Sequence, residues 1–320
     1  MDAGGCRPPP STALRTHSLN NNMNDADETT TTTTCANCGK GEESSGDLRA
    51  CVACKLVKYC NRECQIAHRP QHKKICKKRA AELHDEALFK EQPPTDDCLI
   101  CSRPLPLEAG QMTFESCCGN IICAGCIYVM MEEDRKKGEL ISRCAFCRAL
   151  PTTSAEGEVE RLRKLMKSEN SHAFHVLGGR YEHGDGVPQD FGKANELYLR
   201  AGELGCSDGY CNLGYSYRIG RGVEVDKKKA KYYYELAAMN GNVTARHNLG
   251  SMEGQAGNID RAFKHCILAA KAGYKDSLDK VKAGFTGGVI TKDEYANTLR
   301  AYHKIQNEMK SEGRDKAREL

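Results

Sequence analysis

Cysteine placement constrains this chain more than any other feature. Seven of its nineteen cysteines fall between Cys35 and Cys76, and eight between Cys98 and Cys147. Windows of about 40–50 residues are too short for a hydrophobic core to hold a fold alone, so a staple is expected in each. Disulfides fit poorly. The first window holds an odd number of cysteines, and Met1 to Asn20 shows no apolar run of the kind a signal peptide needs. Clustered thiols without an export signal more often hold metal in a reducing compartment, which points to zinc and to the cytoplasm or nucleus. The net charge of +4, with 28% charged residues of both signs, singles out no partner. The longest nearly apolar stretch, Ile121 to Met131, is far short of the roughly 20 residues that span a bilayer, so no membrane is expected.

In the first window the spacing is Cys35-x2-Cys38-x12-Cys51-x2-Cys54-x5-Cys60-x3-Cys64-x7-His72-x3-Cys76. Those eight donors suffice for two tetrahedral zinc ions. Each CxxC pair can fold as a knuckle, and the i, i+4 pairs Cys60/Cys64 and His72/Cys76 can each share a helical face. The segment resembles a MYND-type zinc finger at all eight ligand positions. The interleaving of that family implies one ion on Cys35, Cys38, Cys60 and Cys64, and a second on Cys51, Cys54, His72 and Cys76. His68, outside the pattern, is expected at the surface. Some MYND fingers bind proline-containing peptides through a glutamine and a tryptophan; Gln65 matches the first, whereas Arg69 stands in the second place. Nine lysines and arginines against Glu63 alone lie between Lys55 and Arg79, which we take as a solvated helix face. Tyr59 is the one aromatic among them, so nucleic-acid stacking has little support.

The second window reads Cys98-x2-Cys101-x15-Cys117-Cys118-x4-Cys123-x2-Cys126-x17-Cys144-x2-Cys147. Asn120 stands where a common zinc pattern, CGHxxCxxC, has its histidine, and a neutral amide is a poor zinc ligand beside thiolate. With Cys118 alone, the second ion would keep three protein ligands and an open side. Counting Cys117 with Cys118 restores eight thiolates, at the cost of a sharp backbone turn. That count resembles a RING finger of the all-cysteine C4C4 kind. The resemblance implies one site of Cys98, Cys101, Cys123 and Cys126, another of Cys117, Cys118, Cys144 and Cys147, and a short helix from Ile127 to about Lys137. It also implies contacts to a ubiquitin-conjugating enzyme at Ile100 and Arg148, although Ala145 replaces a frequent proline. Four Zn2+ ions are expected in all.

From about Glu158 cysteine becomes rare and the chain repeats. Leu177-Gly178, Leu213-Gly214 and Leu249-Gly250 recur every 36 residues, with Asp190 matched by Asp226, Ala194 by Ala230, and Gly186-Val187 by Gly222-Val223. The third copy is four residues shorter and lacks the GxGV turn. Units of this size stack as helix pairs into an α-solenoid, and the pattern resembles Sel1-like repeats. Cys206, Cys211 and Cys266 are expected to be small core residues, and Tyr232, Tyr233 and Tyr234 to straddle core and surface.

The expected fold is therefore mainly α. A disordered tail (1–34) precedes a MYND-type finger (35–76), a helical linker (77–97) and a RING-like finger (98–148). Sel1-like repeats (158–280) and a C-terminal capping helix and tail (281–320) follow. The expected function is a zinc-binding intracellular adapter for proteins or peptides, with no catalytic residues of its own. A RING-type E3 ubiquitin ligase that recruits substrate through the solenoid is the alternative. A nuclear nucleic-acid or chromatin-associated factor is the weaker one.

Overall fold

The computed structural model describes residues 33–41, 47–91, 96–107, 110–138 and 143–319. The expected disordered tail, apart from Thr33 and Thr34, lies outside the described residues. The chain divides into two compact units, one ending at Lys90 and the other starting at Glu91.

In the first unit, β1 (Arg49–Ala50) and β2 (Lys58–Tyr59) form a short antiparallel pair ahead of α1 (Arg62–Leu88). Asn61 caps α1 by accepting from the Cys64 N–H at 2.8 Å. The helix expected from Lys77 is in fact the continuation of α1, which carries Cys64, His72 and Cys76 and passes through Pro70. The unit's core consists of Cys35, Leu48, Cys51, Cys54 and Tyr59. Three of those five are candidate metal ligands, so little apolar burial would remain without the metal.

The second unit opens with a hairpin of β3 (Met112–Glu115) and β4 (Asn120–Cys123), in which Phe114 faces Ile121 and Glu115 faces Asn120. Next come α2 (Ala124–Lys136) and α3 (Ala155–Met166). The helix pairs are α4 (Ser171–His183) with α5 (Phe191–Glu203), α6 (Ser207–Ile219) with α7 (Lys227–Met239), and α8 (Val243–Gln255) with α9 (Ile259–Lys271). Each pair also packs on the next, as a solenoid requires. The recurring glycine has a packing reason. A Cβ at Gly178 would lie 2.7 Å from the Tyr198 ring, one at Gly214 2.9 Å from Tyr234, and one at Gly250 2.8 Å from the Cys266 sulfur. The recurring aspartates are caps: Asp190 accepts from the Lys193 N–H and Asp226 from those of Lys228 and Lys229.

The third pair, without the GxGV turn, is held partly by charge. Buried Glu253 accepts from Lys231 Nζ at 2.6 Å and Asn258 Nδ2 at 2.7 Å, with Arg261 Nε at 3.3 Å. Nearby His265 is 0% exposed. Its burial, followed by the charges of Arg246 and Arg261, pushes the imidazole down to about 3. Between pH 6.5 and about 3 the unfolded chain therefore binds a proton that the folded chain refuses. This contribution is complete above pH 6.5 and declines as pH falls, by up to ~1.4 kcal/mol per pH unit. Denaturant titrations at pH 6.5 and 5 should differ by ~2 kcal/mol more in the native chain than in His265→Gln. Equal losses in both would show that another group titrates.

The stack ends with α10 (Lys275–Thr286) and α11 (Lys292–Met309), joined in a core of Leu278, Val281, Ile290, Phe285, Tyr295 and Leu299. Thr291 and Glu294 close a capping box at the start of α11. A further short helix, α12 (Glu312–Arg318), follows and packs against α2.

Candidate metal centres

Four CxxC segments adopt one local geometry. The residue after each second cysteine has positive φ: Gly39 at 72°, Lys55 at 57°, Ser102 at 51° and Arg148 at 57°. Its N–H donates to the carbonyl of the first cysteine, at 2.9 Å in Gly39→Cys35, 2.8 Å in Lys55→Cys51 and Ser102→Cys98, and 3.0 Å in Arg148→Cys144. The turn aims successive amides at the first sulfur. Burial opposes ionisation of Cys98, yet backbone N–H groups of Cys123, Cys101 and Ile100 outweigh it and bring the thiol down to about 6. Cys35 and Cys51 are also lowered to about 6: burial again opposes, and amides of Cys38 and Cys54 lead the groups that prevail.

The knuckles meet in interleaved pairs. The donor atoms of Cys35, Cys38, Cys60 and Cys64 lie within 4.8 Å of one another, as do those of Cys51, Cys54, His72 and Cys76. The same holds for Cys98, Cys101, Cys123 and Cys126, and for Cys117, Cys118, Cys144 and Cys147. A tetrahedral zinc with Zn–S bonds of ~2.3 Å implies S···S edges of ~3.8 Å. The observed edges fit: 3.7 Å for Cys38–Cys60, 3.7 Å for Cys51–Cys76, 3.8 Å for Cys98–Cys126 and 3.7 Å for Cys118–Cys144. His72 enters its group through Nε2, 3.2 Å from the Cys54 sulfur. Thiolate-dominated sets of four are suited to zinc.

Asn120 does not join a quartet. Its Nδ2 donates to the Cys118 sulfur at 3.4 Å, an outer contact of the kind that steadies a candidate ligand. The turn demanded by adjacent ligands is made by the β3–β4 connection, where the Cys118 and Gly119 N–H groups both donate to the Glu115 carbonyl, at 3.1 and 2.7 Å. Gly119 sits at φ 78°, a conformation that a side chain at this position would strain.

The second finger is braced on two sides by helices. Phe114 of β3 packs with Val159, Leu162, Ala173 and Leu177 of α3 and α4. On the other side Arg314 of α12, only 2% exposed, donates to the Pro104 and Met309 carbonyls at 2.8 Å and approaches the Cys101 sulfur at 3.6 Å. Burial works against its charge, but the Cys123 and Cys101 sulfurs outweigh that and hold the guanidinium ionised. Close approach requires Gly125 in α2, where a Cβ would lie 2.6 Å from Arg314 Cγ. Arg314 and Gly125 escaped the spacing argument; a glycine between two ligands in CAGC is the only sequence trace of the contact.

The remaining expected positions divide. Ile100 is 41% exposed beside the first site of this finger, with Leu99 at 60%. Arg148 is exposed on its knuckle, and Gln65 and Arg69 are exposed on α1. His68 is a correction: it is half-buried, bonded to the Tyr59 hydroxyl through Nδ1 at 3.1 Å and stacked on His72 with ring centres 5.6 Å apart. It supports a ligand from the adjacent turn. Cys211 and Cys266 are buried core residues as expected, Tyr234 is buried and Tyr232 exposed. No helix among the described residues is long and apolar enough to cross a membrane.

Comparison with known proteins covers the first finger and the repeats. Residues 35–76 fit the family model of the MYND finger, and residues 175–206, 207–242 and 243–274 each fit that of the Sel1 repeat. The chain carries a MYND zinc finger and three Sel1 repeats. It is 37% identical over 68 residues to the ERAD-associated E3 ubiquitin-protein ligase component HRD3B of Arabidopsis thaliana, covering 21% of this chain and 11% of that protein. Component HRD3A of the same plant is 36% identical over 66 residues, covering 21% and 10%. The chain thus spans about a tenth of the length of these curated relatives. Among solved structures, a Sel1 repeat protein from Oxalobacter formigenes is similar at 25% identity and a TM-score of 0.42, over 47% of this chain and 64% of that one.

Proposed function

We propose that this protein is a zinc-dependent protein–protein interaction adapter of the cytoplasm or nucleus, holding four Zn2+ ions in its two fingers. The observation that carries this reading is the brace: α3, α4 and α12 fasten the second finger to the repeats, making one unit of two surfaces. Sel1 repeats and MYND fingers are modules that engage other proteins. With the zinc supplying structure, the chain's task is to hold partners. Proteins retained by the zinc-loaded chain should be lost in separate sets when exposed finger residues and exposed repeat residues are substituted. Retention of none, or loss of every partner with either group of substitutions, would overturn the adapter reading.

The second reading is a RING-type E3 ubiquitin ligase, favoured by exposed Leu99 and Ile100 beside a C4C4 site and by exposed Arg148. In that reading the finger holds a loaded conjugating enzyme in a reactive orientation and supplies no nucleophile. Ubiquitin discharge across a panel of conjugating enzymes decides it. A ligase should be active with at least one of them and slowed by Arg148→Ala with zinc content unchanged. Inactivity with all, or equal rates for Arg148→Ala and the native chain, removes this reading.

A further inference from the structure

We propose that His175, Cys206 and Asp208 form a fifth metal site, a three-donor zinc centre between two repeats. One donor atom from each lies within 4.8 Å of the others, a grouping that the two fingers do not share in. His175 projects from α4, while Cys206 and Asp208 lie at the start of α6, so an ion here would tie consecutive repeats together.

Two of the three donors are held in place from outside. The Asn212 amide lies 3.1 Å from His175 Nε2; with the metal on Nδ1, Nε2–H donates and the amide turns its Oδ1 to accept, which restrains the imidazole. Asn242, from the start of α8, accepts from the Ala245 N–H through Oδ1 at 2.8 Å, which fixes its amide orientation. Its Nδ2 then donates to Asp208 Oδ1 at 2.7 Å, leaving Oδ2 for a metal. Outer contacts of this kind orient ligands in metal centres.

The repeat register makes the site specific to one joint. Asn170, Cys206, Asn242 and Tyr274 occupy one repeat position, and the two asparagines cap their helices by accepting from Ala173 and Ala245. Cys206 makes no cap bond, so the thiol is there at the expense of one. His175 corresponds to Cys211 and His247, and Asp208 to Thr244 and Asp276. Only the joint of α4 and α6 therefore combines imidazole, thiol and carboxylate. His172, one turn earlier on α4, stacks instead on Phe114 with ring centres 6.3 Å apart.

One sulfur, one nitrogen and one oxygen suit Zn2+ or its spectroscopic substitute Co2+. Binding releases the Cys206 proton to solvent and forms the thiolate–metal bond. Cys206 is 2% exposed while Asp208 is exposed, so the fourth position opens toward solvent, for water or a donor from a partner.

Titrating Co2+ onto the full chain, loaded with only the four equivalents of zinc that its fingers hold, tests this. One additional equivalent should bind with the near-ultraviolet absorption of a thiolate–cobalt bond. Cys206→Ser should abolish that absorption. His175→Ala and the exposed Asp208→Ala should weaken binding about tenfold or more, while Cys266→Ser changes nothing. Cobalt entering the fingers would give the same signal in every variant. That result, or failure of the native chain to take up another ion, overturns the proposal.

Discussion

Cys117→Ser is expected to lower the zinc held by the two fingers from four ions per chain to three, one ion fewer than the native chain, and to unfold the loop that joins the distal site of the second finger. Three thiolates would remain at Cys118, Cys144 and Cys147, and the lost ion is one whose binding contributes ~10–16 kcal/mol in zinc-finger peptides. Elemental analysis of the purified chain reads the count directly. The neighbouring change Asn120→Ala provides the contrast. It removes only the N–H donated to the Cys118 sulfur, so all four ions should remain, with the distal one held about 10–100-fold more weakly. Undiminished zinc in Cys117→Ser would exclude Cys117 as a ligand. Loss of an ion in Asn120→Ala would make the amide indispensable.

The second large effect is expected at the other end of the chain. Arg314→Ala deletes a buried cation that satisfies two carbonyls at 2.8 Å and faces the sulfurs of the first site. Breaking such a contact leaves buried acceptors and thiolate charge uncompensated, a loss of ~3–5 kcal/mol. The native chain should show a lower unfolding midpoint after this change and release zinc from the second finger faster to a chromogenic chelator. Gly125→Ala should act in the same direction, because its methyl group would displace the same side chain. Arg314→Lys keeps the charge but not the planar fork, and should recover only part of the loss. A shift in Arg314→Ala below ~1 kcal/mol, the scale of an exposed ion pair, would mean that α12 merely rests on the finger.

Much of the architecture was legible from spacing. The CxxC pairs announced knuckles because a two-residue gap and a left-handed turn bring two sulfurs to one ion. The 36-residue interval announced stacked helix pairs because Gly178 and Gly214 are matched to Tyr198 and Tyr234 at a constant offset. The cap role of Asp190 and Asp226 could equally be read from their place before each helix. Helix limits were less legible. Cys64, His72, Cys76 and the expected linker merged into one helix, because Pro70 occupies its interior without ending it. His68 was placed at the surface for want of a ligand spacing. It proved to be the stacking support of a ligand one turn away.

The sequence by itself determined which side chains of the two cysteine-rich windows are spaced as candidate metal ligands and the interval at which the repeats recur, since both depend on residue identity at short, regular separations. Tertiary structure alone decided what stands behind those groups. Arg314 meets Cys101 across 213 positions, and His175 meets Cys206 and Asp208 only because successive helix pairs stack. Contacts of this kind arise from where the solenoid delivers its helices, and chain closure on that scale leaves no periodic trace in the residues that make it.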